Sequence, residues 1–136
     1  MYKQIIIARK DLGLSSGKLS AQISHGSLAF FNQFIKDNTD ANGNINAQFD
    51  KGILNDWMAT GYTKCVLGAK NKTQLLKAKT IAEELGLVEG KDFWLIRDCC
   101  RTELEPEEDG TTLTVIGFKP MDSKIIDKIG KKFQLY

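Results

Sequence analysis

"YKQIIIAR", Tyr2–Arg9, places three isoleucines in a row within eight residues. β-Branched side chains are stiff at χ1 and fit a pleated surface better than a helix. A short apolar run of this composition therefore reads as a largely buried strand. The next segment, "DLGLSSG", is loop, in which Ser15 or Ser16 can supply the oxygen that caps a helix from about Gly17 to about Asp37. Within that helix Leu19, Ile23, Phe30 and Phe34 recur at about one turn and are expected to face the sheet.

Outward from this strand–helix start, "DNTDANGNINAQFD" (Asp37–Asp50) is polar and without a period, hence a loop. Lys51–Thr60 reads as a short helix, with Leu54, Trp57 and Met58 at i, i+3 and i+4. "TKCVLGA" is a second strand. "NKTQLLKAKTIAEELG" opens on an Asn71-x-x-Gln74 capping box and stops at Gly86. "DFWLIRD" and "TLTVIGF" are third and fourth strands, and Asp122 caps a last helix in which Ile125, Ile126, Ile129 and Phe133 share a face. The order β-α-α-β-α-β-β-α predicts an α/β fold, a three-layer α/β/α sandwich on a mixed four-stranded sheet. No repeat or linker divides the chain, so residues 1–136 are expected to form a single domain.

At 136 residues the chain can bury roughly two-thirds of its unfolded surface, enough for a core without disulfides. Cys65, Cys99 and Cys100 lack metal-site spacing, and free thiols in a reducing cytoplasm are expected. The N-terminal apolar run is too short for a signal sequence or a membrane span. A net charge of +2 does not declare a nucleic-acid binder. Two lysine groups stand out, however: Lys64, Lys70, Lys72, Lys77 and Lys79, and Lys119, Lys124, Lys128, Lys131 and Lys132. Solvated helix faces account for both on charge alone. No GxxxxGK[ST], GxGxxG or GxSxG is present, which excludes a Walker site.

Two constellations carry chemistry. Lys18, Gln22, His25 and Ala29 fall in one helical stripe roughly 60° wide. Lys18 sits in the first turn, where the macrodipole disfavours a cation. One reading is a solvated face with a partly buried histidine; the other is a lysine that meets an anion such as phosphate. The second constellation, "LIRDCCRTE", brings Arg97, Asp98, Arg101, Thr102 and Glu103 to the end of the third strand. It reads equally as an ion-paired loop or as a site. A nucleophilic cysteine beside His25 is disfavoured, because adjacent thiols point in different directions.

These blocks resemble the type 2 peptidyl-tRNA hydrolase family along nearly the whole chain. "ARKDLGLSSGKLSAQISHG" is similar to the family's "VRxDL" and "GKxAAQxSHA", and "IRDCCRTE" to "IRDAGRTQ". "TVIGFKP" is similar to "TVLGIGP". Trp57, "EELGL" and the terminal Leu135–Tyr136 also match. The resemblance implies hydrolysis of the ester joining a peptide to the 3′ end of tRNA, with tRNA as partner, no metal or organic cofactor, no membrane, and a cytoplasmic homodimer. It implies Lys18, His25, Asp98 and Thr102 as catalytic residues and Gln22, Arg101 and Thr114 as substrate-binding residues. Asp98 would position or deprotonate the water, while His25 is either a rival base or a structural residue. Lys119, Lys124 and Lys128 then acquire a role on the tRNA backbone. The chain departs from the family pattern at Cys99 and Cys100, which replace alanine and glycine, at Glu103, which replaces glutamine, and in a longer Asp37–Asp50 loop. A non-catalytic tRNA-binding module, a protein-interaction module and an esterase for small N-blocked substrates are the rival readings.

Overall fold

The computed structural model describes residues 1–107 and 109–136. β1 (Tyr2–Arg9) has partners on both edges. It pairs parallel with β2 (Lys64–Ala69), from Gln4↔Lys64 to Arg9↔Ala69, and antiparallel with β4 (Thr112–Phe118), from Ile6↔Gly117 to Ala8↔Val115. Both its faces are covered, which is why it needs consecutive isoleucines rather than an alternating pattern. Ile6 and Ala8 pack against Leu19 and Ile23 of α1 (Ser16–Asn38). Ile5 and Ile7 join the larger core beneath α2 (Lys72–Glu84) and α3 (Ser123–Gly130), with Leu75, Ala78, Ile126 and Ile129. β3 (Phe93–Asp98) pairs antiparallel with the outer edge of β4.

The sheet is mixed, as expected, but it has six strands rather than four. β5 (Met121–Asp122) pairs with the start of β1, and β6 (Gln134–Leu135) pairs with β2, giving the order β3-β4-β1-β2-β6 with β5 off this path. Two-residue strands carry no periodicity and so leave no trace in the sequence. β5 resumes the edge of β1 that β4 leaves, after Pro120, which has no N–H to donate to a ladder.

α1 lies unusually close to the sheet. A Cβ at Gly117 would sit 2.1 Å from the carbonyl oxygen of Gly26, and one at Gly26 would sit 2.8 Å from Val115 Cγ1. Beyond Gly26 the helix is held to β1 by Ser27, whose carbonyl accepts from and whose hydroxyl donates to the Gln4 amide, and it then packs on aromatic partners. Phe30 meets Trp57 edge-on at 5.9 Å, and Phe34 meets Phe49 at 5.0 Å, so Phe34 faces the 49–57 segment rather than the sheet. Residues 53–60 do not form the expected regular helix; they wind as a π turn (Ile53–Trp57) and a 3-10 turn (Met58–Thr60). Ile53 and Trp57 are the buried pair and Leu54 is exposed. The Trp57 indole N–H donates to the Thr63 carbonyl at 2.8 Å, which fixes the winding. In α3, Ile126 and Ile129 are buried while Ile125 points to solvent, and Phe133 packs from beyond the helix end.

The pairing of β3 with β4 shifts between Ile96↔Val115 and Arg97↔Leu113, leaving Thr114 as an extra residue. Such a bulge re-aims a side chain. Val115 packs against α1, and Thr114 reaches α1 too, while Leu113 turns to the opposite core. Strict alternation would have put Thr114 beside Ile116 in the apolar core.

Candidate active site

The last residues of β1, β2 and β3 and the first of β4 share one end of the sheet, and α1 begins there. Ser15 caps α1, its hydroxyl accepting from the Lys18 N–H at 3.3 Å. The Lys18 ammonium reaches across to β3, donating to Asp98 Oδ1 and to Thr102 Oγ1, each at 2.9 Å. One turn along, Gln22 donates from Nε2 to the same Asp98 oxygen at 3.3 Å. Its Oε1 accepts from the Thr114 hydroxyl at 2.7 Å. The bulge therefore orients the Gln22 amide, which faces Asp98 with its donor end. Gln22 and Thr114 are buried, as is Asp98.

The counter-charge that the first-turn lysine lacks locally is thus a carboxylate from the same chain. Burial alone would raise the Asp98 carboxyl. Hydrogen bonds from Lys18 and the Cys100 N–H, with the Lys18 charge, outweigh it and hold the group below its usual range. The Asp98 hydrogen bond and charge correspondingly raise Lys18. An acid held ionised in this way is a weak proton acceptor but a firm orienting group. Lys18 keeps one of its three N–H donors free of these partners. Because Thr102 Oγ1 accepts from Lys18, its own O–H is available to point outward as a second donor.

The turn after β3 explains two of the departures. Cys100, at the position of the family's glycine, has φ +61°. A cysteine there tolerates the left-handed region because its N–H bonds Asp98 Oδ2 at 2.8 Å and its Sγ lies 3.3 Å from Thr112 Oγ1. Glu103, also left-handed at φ +57°, caps α1 from outside: it accepts from the Ser15 N–H at 3.0 Å and from the Ser15 hydroxyl. These bonds, the side-chain one foremost, lower its carboxyl below the ordinary range, and negative charge at a helix N-terminus is favourable.

A second network was not legible in the sequence. Arg9, nearly fully buried, forms a fork with Asp11 and donates to both Glu107 oxygens and to the Leu113 carbonyl, each at 3.0 Å. It ties the end of β1 to the segment that closes the site. The apolar run of β1 gave no hint that the charged side chain ending it would be buried.

The remaining site expectations are placed differently. His25 is exposed on α1 and makes no hydrogen bond or ion pair among the described residues, so it is not the partly buried histidine considered above. Arg101 is exposed and likewise unpaired among them. Lys119 lies at the other end of β4, roughly 20 Å away by strand rise, in an ion pair with Asp92 at 2.6 Å. Lys124 and Lys128 project from α3, on the face opposite α1. The structure does not bring these three lysines to the Lys18–Asp98 site.

Among the described residues no group of three His, Cys, Asp or Glu side chains is arranged to hold a metal, and no helix is long and apolar enough to cross a membrane. Cys65, Cys99 and Cys100 are free thiols.

Residues 2–136 match the family described as Peptidyl-tRNA hydrolase PTH2. The chain is 36% identical to a peptidyl-tRNA hydrolase of Methanopyrus kandleri, over 95% of this chain and 93% of that one. It is 29% identical to one from Thermoplasma acidophilum, over 99% of each. It is also 30% identical to the mitochondrial peptidyl-tRNA hydrolase 2 of Bos taurus, over 99% of this chain but 64% of the bovine protein.

Proposed function

Since the chain belongs to the peptidyl-tRNA hydrolase PTH2 family and hydrolyses the ester between peptide and tRNA, we propose that the Lys18–Asp98–Thr102 cluster is where that ester is cut. The observation that carries this is the pairing of Lys18 with Asp98 and Thr102 at 2.9 Å, made from two elements eighty residues apart. The free Lys18 N–H and the Thr102 O–H receive the carbonyl oxygen as it gains charge, the role of an oxyanion hole. Asp98 orients the ammonium and the attacking water. The water oxygen bonds the carbonyl carbon, the bond to the ribose oxygen breaks, and that oxygen leaves with a proton from the water. Gln22, fixed by Thr114, hydrogen-bonds the ester or the terminal adenosine.

His25 lies three residues beyond Gln22 on α1 and, unlike Gln22, makes no hydrogen bond to Asp98 among the described residues. We assign it, with Arg101, to contact with the peptide or the last nucleotides. Residues 1–136 act as one domain, in the cytoplasm, where the three thiols stay reduced; the homodimer carried over from the family resemblance is measured by sedimentation.

The deciding assay is release of free tRNA from N-acetyl-aminoacyl-tRNA. The unmodified chain cleaves it, and Asp98→Asn is expected to fall about 10²-fold or more. Binding without cleavage would leave only a tRNA-binding module, and near-normal turnover by Asp98→Asn would move the chemistry elsewhere.

A further inference from the structure

The sheet end that carries Asp98 holds a second basic feature that the cluster above does not use. Lys10 follows β1, Lys70 follows β2, and Lys132 lies after α3; with Gly68, Gln74 and Gln134 they line a recess of about 230 Å³. No acidic side chain lines it. Lys3, Lys18, Lys72, Lys79 and Lys119 all have acidic partners, whereas Lys10, Lys70 and Lys132 have none among the described residues. The Lys10 stem is packed against the sheet. A Cβ at Gly68 would sit 2.7 Å from Lys10 Cδ, so the glycine is what lets the lysine stem lie across β2. The Lys10 ammonium then rests 5.3 Å from the Tyr136 ring centroid. Gln74 Oε1 is occupied by the Lys70 N–H, which leaves the Gln74 amide with its donor end free.

Three unpaired cations and a free amide donor in a concavity fit phosphate oxygens. The strand order places β1 two strands and β2 three strands from β3, roughly 10 and 14 Å from Asp98. A polynucleotide whose 3′ end enters the Lys18–Asp98 cluster must lead its preceding phosphates away over such a distance. We propose that the Lys10–Lys70–Lys132 recess binds phosphodiester groups of the tRNA 3′ strand and holds the backbone while its ester is cut. This inference rests on the hydrolase reading and names where that substrate is gripped. Contacts of this kind are independent of base sequence.

The test is the full-length double variant Lys70→Glu/Lys132→Glu. Its KM for N-acetyl-aminoacyl-tRNA is expected to rise tenfold or more. The slope of log Kd for deacylated tRNA against log salt should become shallower by about 1.4–1.8, the share of two phosphate contacts. Cleavage of N-acetyl-aminoacyl-adenosine, which has no phosphate, should keep its wild-type rate. A matched reversal at the other end of the molecule, Lys36→Glu/Lys51→Glu, should behave as wild type. Unchanged KM and slope, an equal loss on both substrates, or an equal loss in the matched variant would each overturn the recess. Failure of the unmodified chain to cleave peptidyl-tRNA would instead overturn the hydrolase reading.

Discussion

Asp98 accepts from Lys18 and Gln22 at Oδ1 and from the Cys100 amide at Oδ2, and the acceptor site left on Oδ2 decides what the side chain can do. Its carboxyl lies below, and the Lys18 ammonium above, the ordinary value, so both stay charged through neutrality. The contribution of this pair to kcat/KM is therefore expected to be level from about pH 5 to 9. Any limb within that range that disappears in His25→Asn would give the histidine a part in the chemical step. Thr102→Val removes the outward O–H and is expected to lower kcat more than it raises KM, because an oxyanion contact exists mainly in the transition state. Cys100 offers a purely conformational prediction. Cys100→Ala keeps the left-handed strain and loses the Sγ contact with Thr112, whereas Cys100→Gly removes the strain. Chemical denaturation should find the glycine variant more stable than the alanine variant by about 1 kcal/mol.

Element packing sets how near α1 stands to β4, and Gly117 sets that distance. Alanine at this position would push against the backbone of Gly26 with no flexible side chain to yield. Gly117→Ala is expected to cost about 1–3 kcal/mol, the usual range for overpacking, and to reduce activity because α1 carries Lys18 and Gln22. The same reasoning applies to the Arg9 network. Arg9→Met keeps the length of the side chain but removes the Arg9 bonds to Glu107 and to the Leu113 carbonyl. The segment bearing Thr102 should then lose protection in amide hydrogen exchange while α2 and α3 keep theirs. The β4 bulge belongs to this scale as well. Thr114 reaches Gln22 only because two consecutive residues of β4 face α1.

For the whole molecule, the acid response is expected to concentrate at one end. Asp98, Asp11 and Glu103 all have lowered carboxyl values and all fasten the sheet end that holds the cluster. A carboxyl that is depressed on folding adds stability above its unfolded value, about 4, and loses it as pH falls through the lower folded value. Unfolding free energy should be level from pH 7 to about 5 and decline below about 4. The decline should be shallower in an Asp11→Asn/Glu103→Gln variant. An identical decline would place the acid-sensitive groups elsewhere.

The strands β1 to β4 and the helices α1, α2 and α3 were legible because each is long enough to display a period, a cap or a stop. The two halves of the cluster were legible as well, since Lys18 opposes its own helix dipole and Asp98 ends a strand. Local patterning could not supply the remainder. Strands of two residues have no period, and the winding of 53–60 follows the Trp57 contact. The assignment of lysines to a shared face depends on which side of the sheet each helix takes. Sequence determined the long elements and put Lys18 and Asp98 at their ends, because propensity and capping act over a few residues. Tertiary structure alone decided that Asp98 answers Lys18, that a bulge aims Thr114 at Gln22, and that Lys10, Lys70 and Lys132 meet. Each of those facts is a distance between segments far apart in the chain, fixed by packing.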